Sequence, residues 1–132
     1  MAPVEARDAL RGLFDESQSL VKGEWEDHDE VSPFECEVAG GGKGVQFLLS
    51  RIGSSPGTMD DAQAAAATIS DLWESRGYPT TTTFKQELGY RVNAENDEHS
   101  VITFAASNNA MTLGGGSSCV PGDRSEVRKL VE

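Results

Sequence analysis

Basic residues are scarce in this sequence. Its 132 residues carry 11 Lys and Arg against 22 Asp and Glu, for a net charge of −11 at pH 7. That balance excludes a nucleic-acid binder, or a surface adhering to anionic lipid, because both work through basic patches. Long hydrophobic runs are also missing. None approaches the roughly 20 residues that a bilayer-spanning helix needs, so the chain reads as not transmembrane. Leu, Ile, Val and Phe make up only about a fifth of the residues, at the edge of the composition at which strongly charged chains stop folding. The start, Met1-Ala2-Pro3-Val4, lacks the apolar stretch of a signal peptide. Two readings follow: a cytosolic protein, or an exported one whose signal was removed, with Met1 in its place.

Cysteine is limited to Cys36 and Cys119, 83 positions apart. A chain this poor in large apolar side chains gains from a cross-link. Closing that loop would stabilise the fold by roughly 4 kcal/mol in the chain-entropy model. The alternative is a pair of reduced, buried thiols in the cytosol. A disulfide implies an oxidising compartment, and free thiols do not.

Periodicity supplies the architecture. Ala6, Leu10, Leu13, Phe14, Leu20 and Val21 form one helical stripe over about Val4 to Lys22, with Gly23 as the stop. Thr58 and Asp61 resemble a capping box, and Ala62, Ala65, Ala66, Ile69, Leu72 and Trp73 continue as an apolar stripe to Arg76-Gly77. Strands are expected at Phe34 to Val38 and at Val45 to Ile52, joined by the flexible run Gly40 to Gly44. After the second helix, Thr80 to Ala94 alternates but shifts phase near Gly89, which calls for a bulge or a break. A turn at Asn96-Asp97-Glu98 leads to a strand from Val101 to Ala106 with Ile102 and Phe104 inward, and Asn108-Asn109 turns into Met111 and Leu113. The order helix, two strands, helix, three strands, with short hairpins, predicts an α+β two-layer sandwich. It has an antiparallel sheet of about five strands with both helices on one face. Residues 1–121 read as a single domain, and 122–132 as a polar tail that either forms a short helical turn from Ser125 to Val131 or stays flexible.

The candidate chemistry is thin. Glu24-Trp25-Glu26-Asp27-His28-Asp29-Glu30 offers hard oxygen ligands for calcium, but the spacing lacks the glycine and terminal glutamate of an EF-hand loop, so it reads as a solvated acidic loop. Trp25 reads as a core or rim aromatic. Gly42-Lys43 lacks the Ser or Thr and the helix of a phosphate loop. Gly115-Gly116-Ser117-Ser118-Cys119 lacks the second glycine of a nucleophile elbow. A Cys–His dyad with His28 or His99 needs a free thiol, and His99 reads as an ordinary surface histidine. No catalytic, cofactor or metal residue is assigned, and the chain is read as not an enzyme.

An N-terminal helix followed by Trp25, then Cys36-Glu37 and a glycine-rich hairpin, resembles the start of a small actinobacterial secreted or lipoprotein ectodomain. The run Leu72-Trp73-Glu74-Ser75-Arg76-Gly77-Tyr78 and the closing Leu113-Gly114…Ser117-Ser118-Cys119 fit the same pattern, over roughly Val4 to Pro121. The resemblance implies export, a lipidated cysteine upstream of the sequence and a disulfide between Cys36 and Cys119, with no assigned activity. Two functions stay open. One is a non-enzymatic protein of the cell envelope that binds a protein or small ligand through its sheet face or loops. The other is a cytosolic acidic immunity or inhibitor protein that binds a basic partner, using its charge to speed encounter.

Overall fold

A computed structural model describes residues 2–95 and 101–132. The expected turn at Asn96-Asp97-Glu98 and the surface reading of His99 lie outside those residues. The chain runs α1 (Pro3–Leu20), β1 (Trp25–Asp27), β2 (Phe34–Glu37), β3 (Lys43–Gln46), β4 (Leu48–Gly53), α2 (Met59–Ser75), β5 (Thr80–Lys85), β6 (Gly89–Glu95), β7 (Val101–Ala106), β8 (Met111–Gly116), β9 (Val120–Pro121) and α3 (Arg124–Val131). This is an α+β fold. A 6-stranded antiparallel sheet, ordered β1-β4-β8-β7-β6-β5, carries α1 and α2 on one face. A 3-stranded sheet, β2-β3-β9, stands beside it and was not expected from the sequence.

The helices form for the reasons their sequences offer. Thr58 caps α2 by accepting the Asp61 amide at 3.2 Å, while Asp61 accepts the Thr58 amide at 2.9 Å. Ala62, Ala65, Ala66, Ile69, Leu72 and Trp73 are buried against the sheet. Pro3 opens α1, where its missing N–H costs nothing. The helix stops at Leu20, with Val21 already extended, so Gly23 does not serve as its cap. Ser17 is buried although it looks polar. Its hydroxyl donates to the Leu13 carbonyl at 2.7 Å and accepts the Trp73 indole N–H at 3.0 Å, tying the two helices together.

The segment from Val45 to Ile52 is two strands instead of one. Alternation continues through it, with Val45, Phe47 and Leu49 all buried. The pairing partners change at Phe47: Val45 faces Glu35 and Val120, whereas Leu49 faces Gly115. Buried Ser117 holds the corner, its hydroxyl accepting the Phe47 amide at 2.8 Å and its amide donating to the Phe47 carbonyl at 2.8 Å. Periodicity sees the side chains but not the change of neighbour. The phase shift near Gly89 is a break: β5 ends at Lys85 and a hairpin returns as β6. Gly89 takes a φ of +88°, and a Cβ there would lie 2.3 Å from the Ala106 carbonyl oxygen. Leu88 is exposed in the turn.

Two cores result. The larger joins α1, α2 and the six-stranded sheet through Phe14, Ile69, Trp73, Val92, Phe104 and Leu113, among others. The smaller consists of Val45, Phe47 and Val127, with Val4 and Val131 packed against it. Val127 belongs to α3, which Asp123 caps by accepting the Ser125 amide at 2.9 Å. Arg124 donates to the Pro33 carbonyl at 2.9 Å and anchors that helix to the start of β2.

Candidate functional site

Cys36 and Cys119 meet over the small sheet. Their sulfurs are 2.01 Å apart, a disulfide distance, and their Cα atoms 6.1 Å apart. Cys36 faces Gly44 across the β2–β3 ladder. A Cβ on Gly44 would lie 2.5 Å from the Cys119 sulfur, so this glycine is required by close approach.

The acidic segment 24–30 is only partly the solvated loop that the sequence suggests. Trp25 to Asp27 form β1 along the edge of the larger sheet, and the Trp25 ring lies over Gly53, where a Cβ would come within 2.9 Å of it. Asp29 is buried: its side chain is 1% exposed. Arg51 on β4, also buried, grips it with two arms, Nε to Oδ1 at 3.0 Å and a terminal nitrogen to Oδ2 at 2.7 Å. The guanidinium also donates to Asp15 and Gln18 of α1, each at 2.8 Å. Burial pushes the Asp29 carboxyl up, but the Arg51 hydrogen bonds and charge, the Ser50 amide and Arg11 together hold it below its ordinary value. The same carboxylates hold Arg51 well above its ordinary value. Asp29, the most enclosed carboxylate of the segment, is therefore spent on joining β1, β4 and α1. Sequence reasoning missed Arg51; its inward register between Leu49 and Gly53 was the available signal. Among the described residues no group of three or more His, Cys, Asp or Glu is placed to hold a metal ion. His28 sits on the exposed side of the same segment, 3.2 Å from a Glu26 oxygen.

The opposite face of the larger sheet is uncovered by any described helix. Strand alternation puts Leu48, Ser50 and Ile52 of β4 on it, and the register then fixes two rows. Ser50, Gly114, Thr103, Asn93 and Thr81 form one. Glu26, Ile52, Thr112, Ala105, Arg91 and Thr83 form the other. The middle of the face is low. A Cβ on Gly114 would meet only the Leu49 carbonyl oxygen, at 3.8 Å. Leu48, Ile52 and Val101 leave apolar surface open at the margins, 37%, 45% and 50% exposed. Thr103 donates to the Asn93 side-chain oxygen at 2.8 Å, a bond that does not use the donor capacity of the Asn93 amide nitrogen. Towards β5 the face deepens into a cleft of about 380 Å³ lined by Thr83, Lys85, Leu88, Arg91 and Asn93. Chemically the face offers hydroxyls, an amide, a strip of apolar surface and two cations, a set suited to binding.

No protein-family model matches the chain, and no curated protein matches it. Among solved structures the chain is similar to a DUF4853 family protein from Actinomyces odontolyticus, with 12% sequence identity and a TM-score of 0.47. That likeness covers 92% of this chain and 64% of the other, so the chain spans less than two thirds of that protein's length. No helix among the described residues is long and apolar enough to cross a membrane.

Proposed function

We propose that the chain is a non-enzymatic, extracytoplasmic binding module that presents the uncovered face of its six-stranded sheet to a protein or small ligand. The observation that carries this reading is the face itself, a low central strip of Gly114, Thr103 and Ala105 between apolar and cationic margins. The groups that could have served nucleophilic chemistry have structural partners instead: Cys36 with Cys119, the Ser117 hydroxyl with the Phe47 amide. The cysteine pair supports export, because bridges persist in oxidising compartments. A lipid anchor on a preceding segment, as the resemblance implies, belongs to the same reading. The second reading, an acidic cytosolic inhibitor, is favoured by the exposed acids Glu24, Glu26, Asp27, Glu30, Glu35 and Glu37 along β1 and β2.

One experiment in the native host separates them. A photo-cross-linking residue is placed at Thr103 on the open face, at Ala67 on the outer side of α2, or at Glu35. Cell fractionation and the non-reduced mass are read in parallel. The binding module predicts adducts from Thr103 and none from Ala67, in an envelope fraction, with a mass about two units below the reduced chain. A cytosolic protein with two alkylatable thiols and adducts only from Glu35 would transfer the conclusion to the inhibitor.

A further inference from the structure

The two edges of the larger sheet are unequally protected. Natural sheets blunt their edges with short strands, charge, proline or bulges, because a bare edge pairs with other chains. The β1 edge has a strand of 3 residues, its backbone contact with β4 continuing through the His28 and Glu30 amides, and it is acidic, with Glu26, Asp27 and Glu30 exposed. The β5 edge, Thr80–Lys85, is 6 residues long, and every residue after Thr80 is exposed. Its register with β6 is unbroken from Thr80 opposite Ala94 to Lys85 opposite Gly89, with no bulge and no proline. Thr80, Thr81, Thr82, Thr83 and Phe84 are strong strand formers, and a single charge stands at the last position. One side of the strand pairs with β6, and no strand of the described residues pairs with the other. Phe84, 49% exposed, stacks beside Tyr90 with ring centroids 4.6 Å apart and offers an apolar contact at that edge.

Charge indicates what the edge accepts. In a chain with twice as many acids as bases, most arginines are engaged: Arg7 with Asp8, Arg51 with Asp29, Arg76 with Glu16, Arg128 with Glu132. Lys85 and Arg91 stand on adjacent strands on the open side of the sheet, line the same cleft, and have no ion pair with any described residue. Two neighbouring cations that pair with no described carboxylate, Glu87 of the adjoining turn included, form a local positive site on an otherwise acidic surface. In an antiparallel pair of two β5 strands, Lys85 of each copy would lie against the start of the other strand, at Thr80 and Thr81, so a second copy offers these cations no carboxylate.

We propose that the free edge of β5 accepts an extended segment of a partner protein as an added strand, and that Lys85 and Arg91 favour a segment carrying a carboxylate side chain. The backbone ladder supplies the attachment, and the cations beside it supply the choice. This rests on the reading of the chain as a binding module and specifies how the partner is held.

The test uses the full chain and a displayed library of random peptides, from which one selected peptide is synthesised. Selected peptides should contain Asp or Glu, and binding should weaken about tenfold with Lys85→Glu, whose exposed site leaves the circular dichroism unchanged. Binding should slow hydrogen exchange at alternate β5 amides. N-methylation of alternate amides in the peptide should abolish binding, because the added strand can no longer donate to β5 carbonyls. Peptides that ignore N-methylation, or that protect the β7–β8 region and leave β5 unchanged, would overturn the inference while leaving a binding module in place. Failure to select any peptide, alongside adducts from Thr103, would do the same. Concentration-dependent protection of β5 without peptide would assign the edge to a second copy and also overturn it. Loss of the binding-module reading itself would show as absence of Thr103 adducts.

Discussion

The two sheets of this protein share α1 and the corner at Phe47, yet different forces hold them. The six-stranded sheet is covered by two amphipathic helices, and its core contains the completely enclosed side chains of Phe14, Ile69, Trp73, Val92 and Phe104. Burial on that scale needs no cross-link. The three-stranded sheet has Val45, Phe47 and Val127 as its buried cluster, with α3 and the first turn of α1 laid against it. Three apolar side chains do not offset the entropy of ordering β2, β3, β9 and α3, so this part depends on attachments. They are the Cys36–Cys119 pair, the Ser117 corner and the Arg124 contact with Pro33. The difference teaches where a modest stock of large apolar residues went. It was concentrated in one core, and covalent and polar ties finish the other.

The largest expected effect comes from the well-packed side of this comparison. Trp73→Ala removes the largest enclosed side chain and leaves the Ser17 hydroxyl without its indole donor. It should cost roughly 3–5 kcal/mol in denaturant unfolding, with both sheets lost together. The double change Cys36→Ser, Cys119→Ser should cost about 4 kcal/mol by the loop-entropy argument. Hydrogen exchange should accelerate first in β2, β3, β9 and α3, while β6, β7 and β8 stay protected. A loss below about 1 kcal/mol, or uniform acceleration, would break the distinction between the two parts.

The smallest of the three effects concerns the polar seam inside the larger part. Asp29 is held below its ordinary value, so the native state binds its proton less readily than the unfolded chain does. The stabilisation from its ionised form is therefore full above the ordinary carboxylate range and is lost as pH falls through the depressed folded-state value. Asp29→Asn should be less stable than the parent by about 2 kcal/mol at pH 7, and the gap should close on acidification through that window. Parallel pH profiles of melting for the two proteins check this; a constant gap would show that packing, rather than charge, sets the role of Asp29.

Much of the fold was legible in local sequence. The Thr58–Asp61 box, the apolar stripe of α2, that of α1 as far as Phe14 and the inward Ile102 and Phe104 appear as their spacing predicts, because each depends on a residue's neighbours along one element; Leu20, expected on the same stripe, is exposed at the end of α1. The candidate site was less legible. Alternation says that Ser50, Thr103 and Asn93 point away from their core, but the row they form depends on β4 pairing with β8 across a long stretch of chain. Nothing in Thr81 or Arg91 marks them as lying on an uncovered face. The burial of Arg51 and Ser17 escaped for the same reason: each is a polar residue whose partners come from another element.

By itself, then, the sequence determined the α+β class and the limits of α1 and α2 to within a few residues. Those follow from composition and short-range periodicity. Only the tertiary structure decided that Val45 and Leu49 serve different sheets and that Asp29 is buried against Arg51. It also decided that, among the described residues, one face of the larger sheet and the outer side of β5 are left open. Each of these depends on which distant segment lies alongside, a choice made by long-range pairing and packing rather than by any local preference.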